Sequence, residues 1–502
     1  MNNRHLAMGL ILILAMISRG VDFGKTPAGI TDDESSHGYN AYSLLLTGRD
    51  EYGKTWPILN RSFGTYSSSL YTYMTILPVK LFGLNPVSIR LPSLVSGLIF
   101  VVLVIAALGP AAGFVVAISP VFIFYSRAAF ETNLALTLLF LGIVLAVRAA
   151  SRPKMLPLSF LFLSLSAYAY QVERVLSVIL ISLIAVYYWK TRKKIVILSL
   201  LLALLIQIPI MFISFTPGAN SRISTLAGRG NYPFLFLTYF SPSNLFSRPD
   251  PAPRKSFPQV SVFYWWMIIP FIMGIKKFIS SKSYKSLFGK SLVVSVIVSP
   301  AIAAATPDYF STWRALPMFL TLAWIISMGL GKSKMVYFFM LLISSFEIYS
   351  NLVLLKHEGS TAWGYQYQAL ANFVRSHSDE TIVIDNARSG PIYIWLALYN
   401  HYPPQKLQSM VDTEWLKDYY NHVEFDLNKT IDNVQIRPIF WKSDALTDQI
   451  LISDSLGISA SQADEHFLTL VTIIPDINAQ PALYVYQTHP ALKISATQRD
   501  SI

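Results

Sequence analysis

Long apolar runs, separated by short polar segments, dominate the first 354 residues of the chain. Eleven runs are typical of membrane helices, although several are shorter than the ~20 residues that a full span needs. They lie at about 6–19, 88–108, 112–126, 132–149, 155–171, 174–189, 195–213, 261–275, 291–305, 314–330 and 335–354. The first run lacks a small-x-small cleavage site, so we expect a retained helix. The pattern predicts an α-helical polytopic membrane protein with about 11 transmembrane helices.

Charge is distributed unequally between the two sides of these helices. The segments 148–154, 190–194, 276–290 and 332–334 carry Lys and Arg but no acidic residue. Positive loops stay in the cytoplasm, so the N-terminus is predicted to be cytoplasmic. The loops 20–87 and 214–260 and the region 355–502 then lie outside. We therefore expect a multi-pass protein of the plasma (inner) membrane. Its functional site should lie on the outer face.

The pattern changes character after residue 355. The spacing indicates helices at 363–377 and 391–399, and strands at 381–385, 435–441, 466–474 and 483–487. Strands alternating with helices are typical of a small α/β domain. The sequence thus predicts a transmembrane domain over 1–354 and an extracytoplasmic α/β domain over 355–502.

The composition is typical of a membrane protein, and it excludes several kinds of reaction and ligand. Of 502 residues, 53% are hydrophobic and only 14% are charged, against about a quarter in soluble domains. There is no cysteine, which excludes disulfides, a thiol nucleophile and cysteine-ligated metals. The net charge of +12 follows from the basic cytoplasmic segments, so no nucleic-acid partner is predicted.

The richest polar cluster follows the first apolar run, at residues 31–42 (TDDESSHGYNAY). Apolar spacing after the acids predicts a helix, with Thr31 or Asp32 as its cap and the acids in its first turn. One interpretation is that the acids only stabilise the helix start. The other is a general base or a metal ligand at the membrane surface. Metal use is left open, and the only candidate ligands are Asp32, Asp33, Glu34 and His37.

Further charges lie at the outer ends of the predicted helices. They are Arg127 with Glu131, Glu173 with Arg174, and Asp308 with Arg314. These residues are either boundary charges that pair with each other or arginines that bind an anionic headgroup, since the guanidinium fork suits phosphate. The first outer loop adds Arg61 and several aromatic residues, including Tyr66, which are typical of an interfacial anchoring belt.

Together these stretches resemble the GT-C membrane glycosyltransferases. Within them the chain is similar to the branch of protein O-mannosyltransferases and lipid A aminoarabinose transferases, in particular bacterial members of uncertain substrate. The matching stretches are 31–54 (TDDESSHGYNAYSLLLTGRDEYGK), 82–93 (FGLNPVSIRLPS), 125–133 (YSRAAFETN), 239–246 (YFSPSNLF) and 363–365 (WGY). The first is the most specific, and together they span most of the chain.

The resemblance implies roles for individual residues. Its acidic pair falls on Asp33 and Glu34, and it implies that Asp33 is the catalytic base. Arg127 and Glu131 lie at the outer end of the third predicted helix and at the start of the fourth. The family has its Ser-Arg element at this place. The recurring arginine positions of the family correspond to Arg174 and Arg314. The predicted catalytic residues are thus Asp33 and Glu34, and the predicted substrate-binding residues are Arg61, Tyr66, Arg127, Glu131, Arg174 and Arg314.

The chain departs from the family at residues 66–71. Family members often have Tyr-Lys-Pro-Pro-Leu-Tyr where this chain has YSSSLY. That lysine is expected to contact the donor phosphate, and Ser67 cannot supply its charge. Either another cation, namely Arg61, Arg127 or Arg314, replaces it, or donor use differs.

The resemblance implies an inverting transfer of a sugar from a polyprenyl-phosphate donor to an acceptor hydroxyl on the outer face. The partners would be this lipid-linked donor, membrane lipids and a glycan, lipid or protein acceptor. A transporter or flippase of lipid-linked saccharides is the alternative, although the helix interiors are mostly apolar and no repeat is evident. A third interpretation is that the chain is an assembly protein whose α/β domain binds a partner.

Overall fold

The computed structural model describes residues 3–220, 231–331, 333–425 and 427–499. Part of the predicted outer loop 214–260, residues 221–230, lies outside the described residues. The chain is mostly helical and ends in a sheet region, in agreement with the predicted fold class.

The first half of the chain consists almost entirely of helices. They are α1 (Asn3–Gly20), α2 (Asp32–Thr47), α3 (Leu70–Phe82), α4 (Pro86–Leu108), α5 (Pro110–Ile118), α6 (Pro120–Phe124), α7 (Glu131–Arg148), α8 (Met155–Ala167) and α9 (Gln171–Ser214). A hairpin of β1 (Leu59–Ser62) and β2 (Thr65–Ser68) precedes α3. Phe63 and Gly64 in its two-residue turn both have positive φ, as a type I′ hairpin turn requires.

The second half of the membrane region adds six helices. They are α10 (Tyr232–Thr238), α11 (Pro242–Phe246), α12 (Ile268–Ser280), α13 (Leu287–Ala304), α14 (Leu316–Gly329) and α15 (Lys334–His357), with 3-10 turns at Trp265–Met267 and Ser283–Lys285. A large apolar core lies between these helices and α1, α4, α5 and α7.

Each of the eleven predicted apolar runs overlaps a helix. The run 112–126 is split at Ser119 into α5 and α6, and a non-helical Arg192 breaks α9 between two predicted runs. By length and composition, five described helices could cross a membrane, namely α4, α7, α9, α13 and α15. Three shorter apolar helices lie at His5–Gly20, Met155–Ala167 and Leu316–Gly329. The chain is thus a multi-pass membrane protein, and the count of eleven spans stays a prediction.

The C-terminal region is a mixed sheet flanked by helices. Its helices are α16 (Gln366–Ser376), α17 (Ile392–Tyr399), α18 (Pro404–Gln408), α19 (Thr413–Lys417), α20 (Trp441–Asp444), α21 (Ala460–Glu465) and α22 (Pro490–Arg499). Its strands are β3 (Ile382–Ile384), β4 (Lys429–Ile431), β5 (Val434–Ile436), β6 (Ile450–Ser453), β7 (Thr469–Pro475) and β8 (Pro481–Gln487). The strand order is β4-β5-β3-β6-β8-β7, with β3 parallel to both of its neighbours.

Candidate active site

The acidic cluster at residues 32–34 forms the first turn of α2. Thr31 is the N-cap: its hydroxyl accepts a hydrogen bond from the backbone N–H of Glu34, and the Glu34 carboxylate accepts one from the backbone N–H of Thr31. This capping box fixes where α2 begins, as the sequence predicted. Asp32 and Asp33 are held beside it and remain partly exposed.

Glu34 is fully buried and has several partners. The Arg90 guanidinium donates to both of its carboxylate oxygens, at 2.7 and 3.0 Å, and the N–H of Ala129 donates at 2.8 Å. Burial alone would raise the pKa of Glu34, but the charge of Arg90 and these hydrogen bonds outweigh it and hold the pKa below its usual range. The geometry of Glu34 is that of a structural ion pair that joins α2 to α4.

Asp32 and Asp33 face a cation from the predicted outer loop 214–260. Arg254 forms an ion pair with Asp32, and the charge of Asp33 also acts on Arg254. The C-terminal region borders the same turn, because a Cβ placed on Gly390 would lie 3.6 Å from Asp32 Oδ2. The first turn of α2 therefore lies between the membrane helices, the segment that carries Arg254, and the C-terminal region.

His37 lies one turn beyond Asp33, on the same face of α2. Its Nδ1 is 2.9 Å from the hydroxyl of Thr72 on α3, and its Nε2 is 3.8 Å from Oε1 of Glu131 at the start of α7. The Glu131 side chain is 19% exposed, so it lines the site rather than the core. The structure thus brings Glu131 next to the α2 face that carries Asp33.

A second group of charges lies beside the start of α7. Lys255 and Arg314 both form ion pairs with Asp308. The hydroxyl of Thr132 donates to the carbonyl of Trp313 at 2.8 Å, which ties this group to α7. The predicted pair of Asp308 and Arg314 is therefore present, and Lys255 adds a third charge to it.

In the part of the chain that the structure describes, Arg127 and Arg174 do not form the boundary ion pairs with Glu131 and Glu173 that one interpretation predicted. Arg127 is fully buried and donates to four backbone carbonyls of residues 18–26, so it ties the end of α1 to the loop before α7 instead of pairing with Glu131. Arg174 donates to the hydroxyls of Ser68 and Ser214, both at 3.1 Å.

Arg61 lies on the opposite face of β1 from the α2 site. Side chains alternate along a strand. Those of Asn60 and Ser62 contact Thr72 and Ser36, respectively. The side chain of Arg61 therefore points away from α2 and toward the C-terminal region.

There Arg61 and Tyr66 form part of an interface with residues 415–424. The guanidinium donates to the carbonyls of His422 at 3.2 Å and Glu424 at 2.7 Å, and the Tyr66 hydroxyl donates to the carbonyl of Tyr419. Arg61 and Tyr66 are each 2% exposed. The described contacts assign both residues to the packing of the C-terminal region on the hairpin.

In the described ranges, no group of three or more His, Asp or Glu side chains is arranged to hold a metal ion. Among the predicted candidate ligands, Asp32, Glu34 and His37 each contact a different partner. These candidates do not form a preassembled ligand set in this arrangement.

Sequence reasoning missed Arg254, Lys255 and Arg90. Arg90 lies in the stretch 82–93 that carries the resemblance, but its partner is 56 positions away. Arg254 and Lys255 form a basic pair in a proline-rich outer segment, residues 250–255 (DPAPRK). Two adjacent cations between prolines and the next predicted helix were the available signal.

Comparisons with known proteins support the fold. No known protein family matches the chain, and no curated protein is similar to it in sequence. Among solved structures, ArnT from Cupriavidus metallidurans matches in the apo state, with 12% identity and a TM-score of 0.54 over 97% of this chain and 98% of that one. The same protein bound to undecaprenyl phosphate matches with 11% identity and a TM-score of 0.55 over the same shares.

An oligosaccharyltransferase from Archaeoglobus fulgidus also matches, with 12% identity and a TM-score of 0.48 over 90% of this chain and 69% of that one. ArnT is a GT-C glycosyltransferase. The chain has the fold of ArnT over nearly its whole length, which confirms the fold that the resemblance implied.

Proposed function

We propose that the chain is an integral-membrane inverting glycosyltransferase that moves a sugar from a polyprenyl-phosphate donor to an acceptor hydroxyl, with Asp33 as general base. One observation carries the proposal. On a fold shared with ArnT, a partly exposed acidic turn pairs with Arg254, and the next residue, Lys255, shares the carboxylate of Asp308 with Arg314. A carboxylate and nearby cations are what proton removal and phosphate departure require.

The proposed reaction is a single displacement. The acceptor oxygen attacks the anomeric carbon while the Asp33 carboxylate takes its proton. The bond from that carbon to the phosphate oxygen breaks, and the polyprenyl phosphate leaves with the bonding electrons from the opposite face. The configuration at the anomeric carbon therefore inverts.

The cations would stabilise the charge of the leaving phosphate. Lys255 and Arg314 share a single carboxylate, Asp308, so they bring one more positive charge than that carboxylate balances. In this proposal they supply the charge that the family takes from a lysine at the position of Ser67. Fixed cations stabilise charge that develops in the transition state without reorganising at the moment of reaction.

The proposed topology follows the distribution of charge. Residues 1–354 would form the catalytic membrane domain, and residues 355–502 would form an extracytoplasmic domain of a plasma (inner) membrane protein. The basic segments 148–154 and 276–290 lie at the helix ends away from Asp33, which supports a cytoplasmic position for them. The lipid tail of the donor would lie between helices near the outer leaflet.

The test is sugar transfer in membranes with a panel of radiolabelled polyprenyl-phosphate sugars, comparing wild type with Asp33→Asn. Loss of a general base typically costs ~10²–10⁴-fold in rate, so we expect the variant to leave the donor intact. Asn fits the first turn of a helix, so protein abundance should stay at the wild-type level.

Asp22→Asn is the matched control, because Asp22 is an exposed carboxylate of the same outer loop and pairs with Lys356 at 3.8 Å. It should transfer sugar like wild type. Equal activity of Asp33→Asn and wild type would exclude Asp33 as the base.

A further inference from the structure

A cavity of about 650 Å³ lies at the end of the helix bundle opposite the Asp33 site. The last turns of α4 and α7, the turn between α12 and α13, and Trp324 of α14 form its walls. Arg90 of α4 contacts Glu34, and Leu108 lies 18 residues further along the same helix. At 1.5 Å per residue the cavity is about 27 Å from the candidate active site, close to the thickness of a bilayer core.

Two cations line this cavity, and no acidic residue does. Arg148 ends α7, and Lys282 lies in the turn before α13. Both side chains are exposed. Within the described part of the chain, neither has an ion-pair partner, in contrast to Arg254, Lys255 and Arg314 at the other end.

Three serines, Ser281, Ser283 and Ser286, complete the polar lining. Their hydroxyls are hydrogen-bonded within the protein: those of Ser281 and Ser283 lie 2.6 Å apart, and that of Ser286 donates to the carbonyl of Ser283 at 2.9 Å. Ser286 also caps α13, so the positive end of an 18-residue helix begins at the cavity. Together with the two cations, this end of the bundle offers charge and donors to one phosphate-sized group.

An exposed apolar stripe runs from the cavity along α4. Ala106 lines the cavity, and Val102, Ile99 and Val95 follow it on the same helix face at helical spacing. The last three are 48%, 46% and 45% exposed, respectively. In a membrane, this stripe faces the acyl chains of the leaflet in which the cavity opens.

We propose that this cavity binds the headgroup of an anionic phospholipid from the leaflet opposite the active site. The phosphate lies between Arg148 and Lys282 at the N-terminal end of α13, while an acyl chain lies along the stripe on α4. Basic pockets between helices on the cytoplasmic side of membrane proteins are suited to such headgroups. The continuous apolar stripe favours a lipid over a free phosphate ion. The inference is independent of the reaction proposed above.

The experiment is native mass spectrometry of the full-length protein from nanodiscs of equal parts phosphatidylglycerol and phosphatidylcholine. Wild type should retain phosphatidylglycerol, and Arg148→Gln with Lys282→Gln should reduce that retention at least about tenfold. Arg148→Lys with Lys282→Arg keeps both charges and should retain the lipid.

The matched control is Lys193→Gln with Lys194→Gln, which removes two charges at the same end of the bundle but outside the cavity. It should retain the lipid like wild type. The proposal is overturned if this control loses the lipid as strongly, or if the Arg148 and Lys282 double variant keeps it. It is also overturned if inorganic phosphate at equal concentration protects the wild type against thermal unfolding as well as phosphatidylglycerol does.

Discussion

Neighbouring acidic residues in one helical turn have different environments. Glu34 is fully buried and bound by Arg90, whereas Asp32 and Asp33 are partly exposed toward Arg254. The periodicity of α2 explains the difference, since consecutive side chains are turned about 100° around the helix axis. A base must reach its substrate, so the exposed Asp33 suits the proposed chemistry better than Glu34 does.

We expect the replacement of Glu34 by Gln to lower the free energy of unfolding of the protein. The variant leaves the buried Arg90 without its counter-charge, and breaking a buried pair costs about 3–5 kcal/mol. The thermal midpoint of the purified protein should fall by several degrees in a fluorescence-detected unfolding scan.

The control for this prediction is Asp32→Asn, which breaks a partly exposed pair worth about 0–1 kcal/mol. Its thermal midpoint should stay close to that of wild type. A Glu34→Gln variant with the wild-type midpoint but no transfer activity would contradict the structural assignment and make Glu34 a candidate for the chemistry.

The sequence predicted some of the candidate site and could not predict other parts. The acidic turn, its Thr31 cap and the position of Glu131 are local features, and short-range patterns reveal such features. Arg127 donates to backbone carbonyls of a distant segment, as Arg61 does in addition to its bond with the Tyr66 hydroxyl, and no residue type marks a carbonyl as an acceptor. Burial of these two arginines therefore became evident only from the three-dimensional structure.

At the scale of elements, the helices were predicted better than the strands. Apolar runs of membrane length have few alternative interpretations. By contrast, β6 is a four-residue apolar run that periodicity cannot distinguish from a helical segment, and β4 is an edge strand of three residues. Short strands are stabilised by neighbouring strands that are distant in the sequence. The local sequence alone therefore predicts them poorly.

The contact between the β1–β2 hairpin and segment 415–424 gives a prediction for Arg61→Met. Methionine keeps the length of the side chain but loses the hydrogen bonds to the carbonyls of His422 and Glu424. Hydrogen bonds to a charged group are worth about 1.5–3 kcal/mol each. Hydrogen–deuterium exchange should therefore become faster in segment 415–424, while exchange in the membrane helices stays unchanged.

Arg388→Met is a suitable control, because Arg388 is 43% exposed and forms a surface pair with Asp454. It should leave exchange in segment 415–424 at the wild-type rate. If Arg61→Met also leaves that rate unchanged but weakens donor binding, the predicted substrate-binding role of Arg61 would regain support.

At the scale of the whole molecule, buried charged and aromatic groups hold the C-terminal region against the segment between α1 and α4. The carboxylate of Glu51 accepts hydrogen bonds from Asn40 at 3.1 Å and Tyr393 at 3.0 Å. Lys429 lies over the Tyr393 ring at 3.9 Å. Tyr393 is 342 positions from Glu51, so only the folded chain brings the predicted regions 1–354 and 355–502 into contact here.

This interface should make the stability of the protein depend on pH. Burial raises the pKa of Glu51 from 4.5 to about 7, although the charge of Lys429 and the two hydrogen bonds oppose the shift. The folded state then binds this proton more tightly than the unfolded state does. The resulting stabilisation is present below about pH 4.5 and is lost as the pH rises through 7, in total on the order of 3 kcal/mol.

Glu51→Gln keeps the shape of the side chain but cannot ionise. The thermal midpoint of wild type should fall between pH 5 and 8 relative to that of the variant, and the two should converge toward the acidic end. Glu414→Gln removes a carboxylate that is 72% exposed and should follow wild type at every pH. Parallel profiles of wild type and Glu51→Gln would mean that Glu51 stays ionised in the folded protein. Lys429 would then be its ion-pair partner, and Lys429→Met should lower the midpoint most above pH 7.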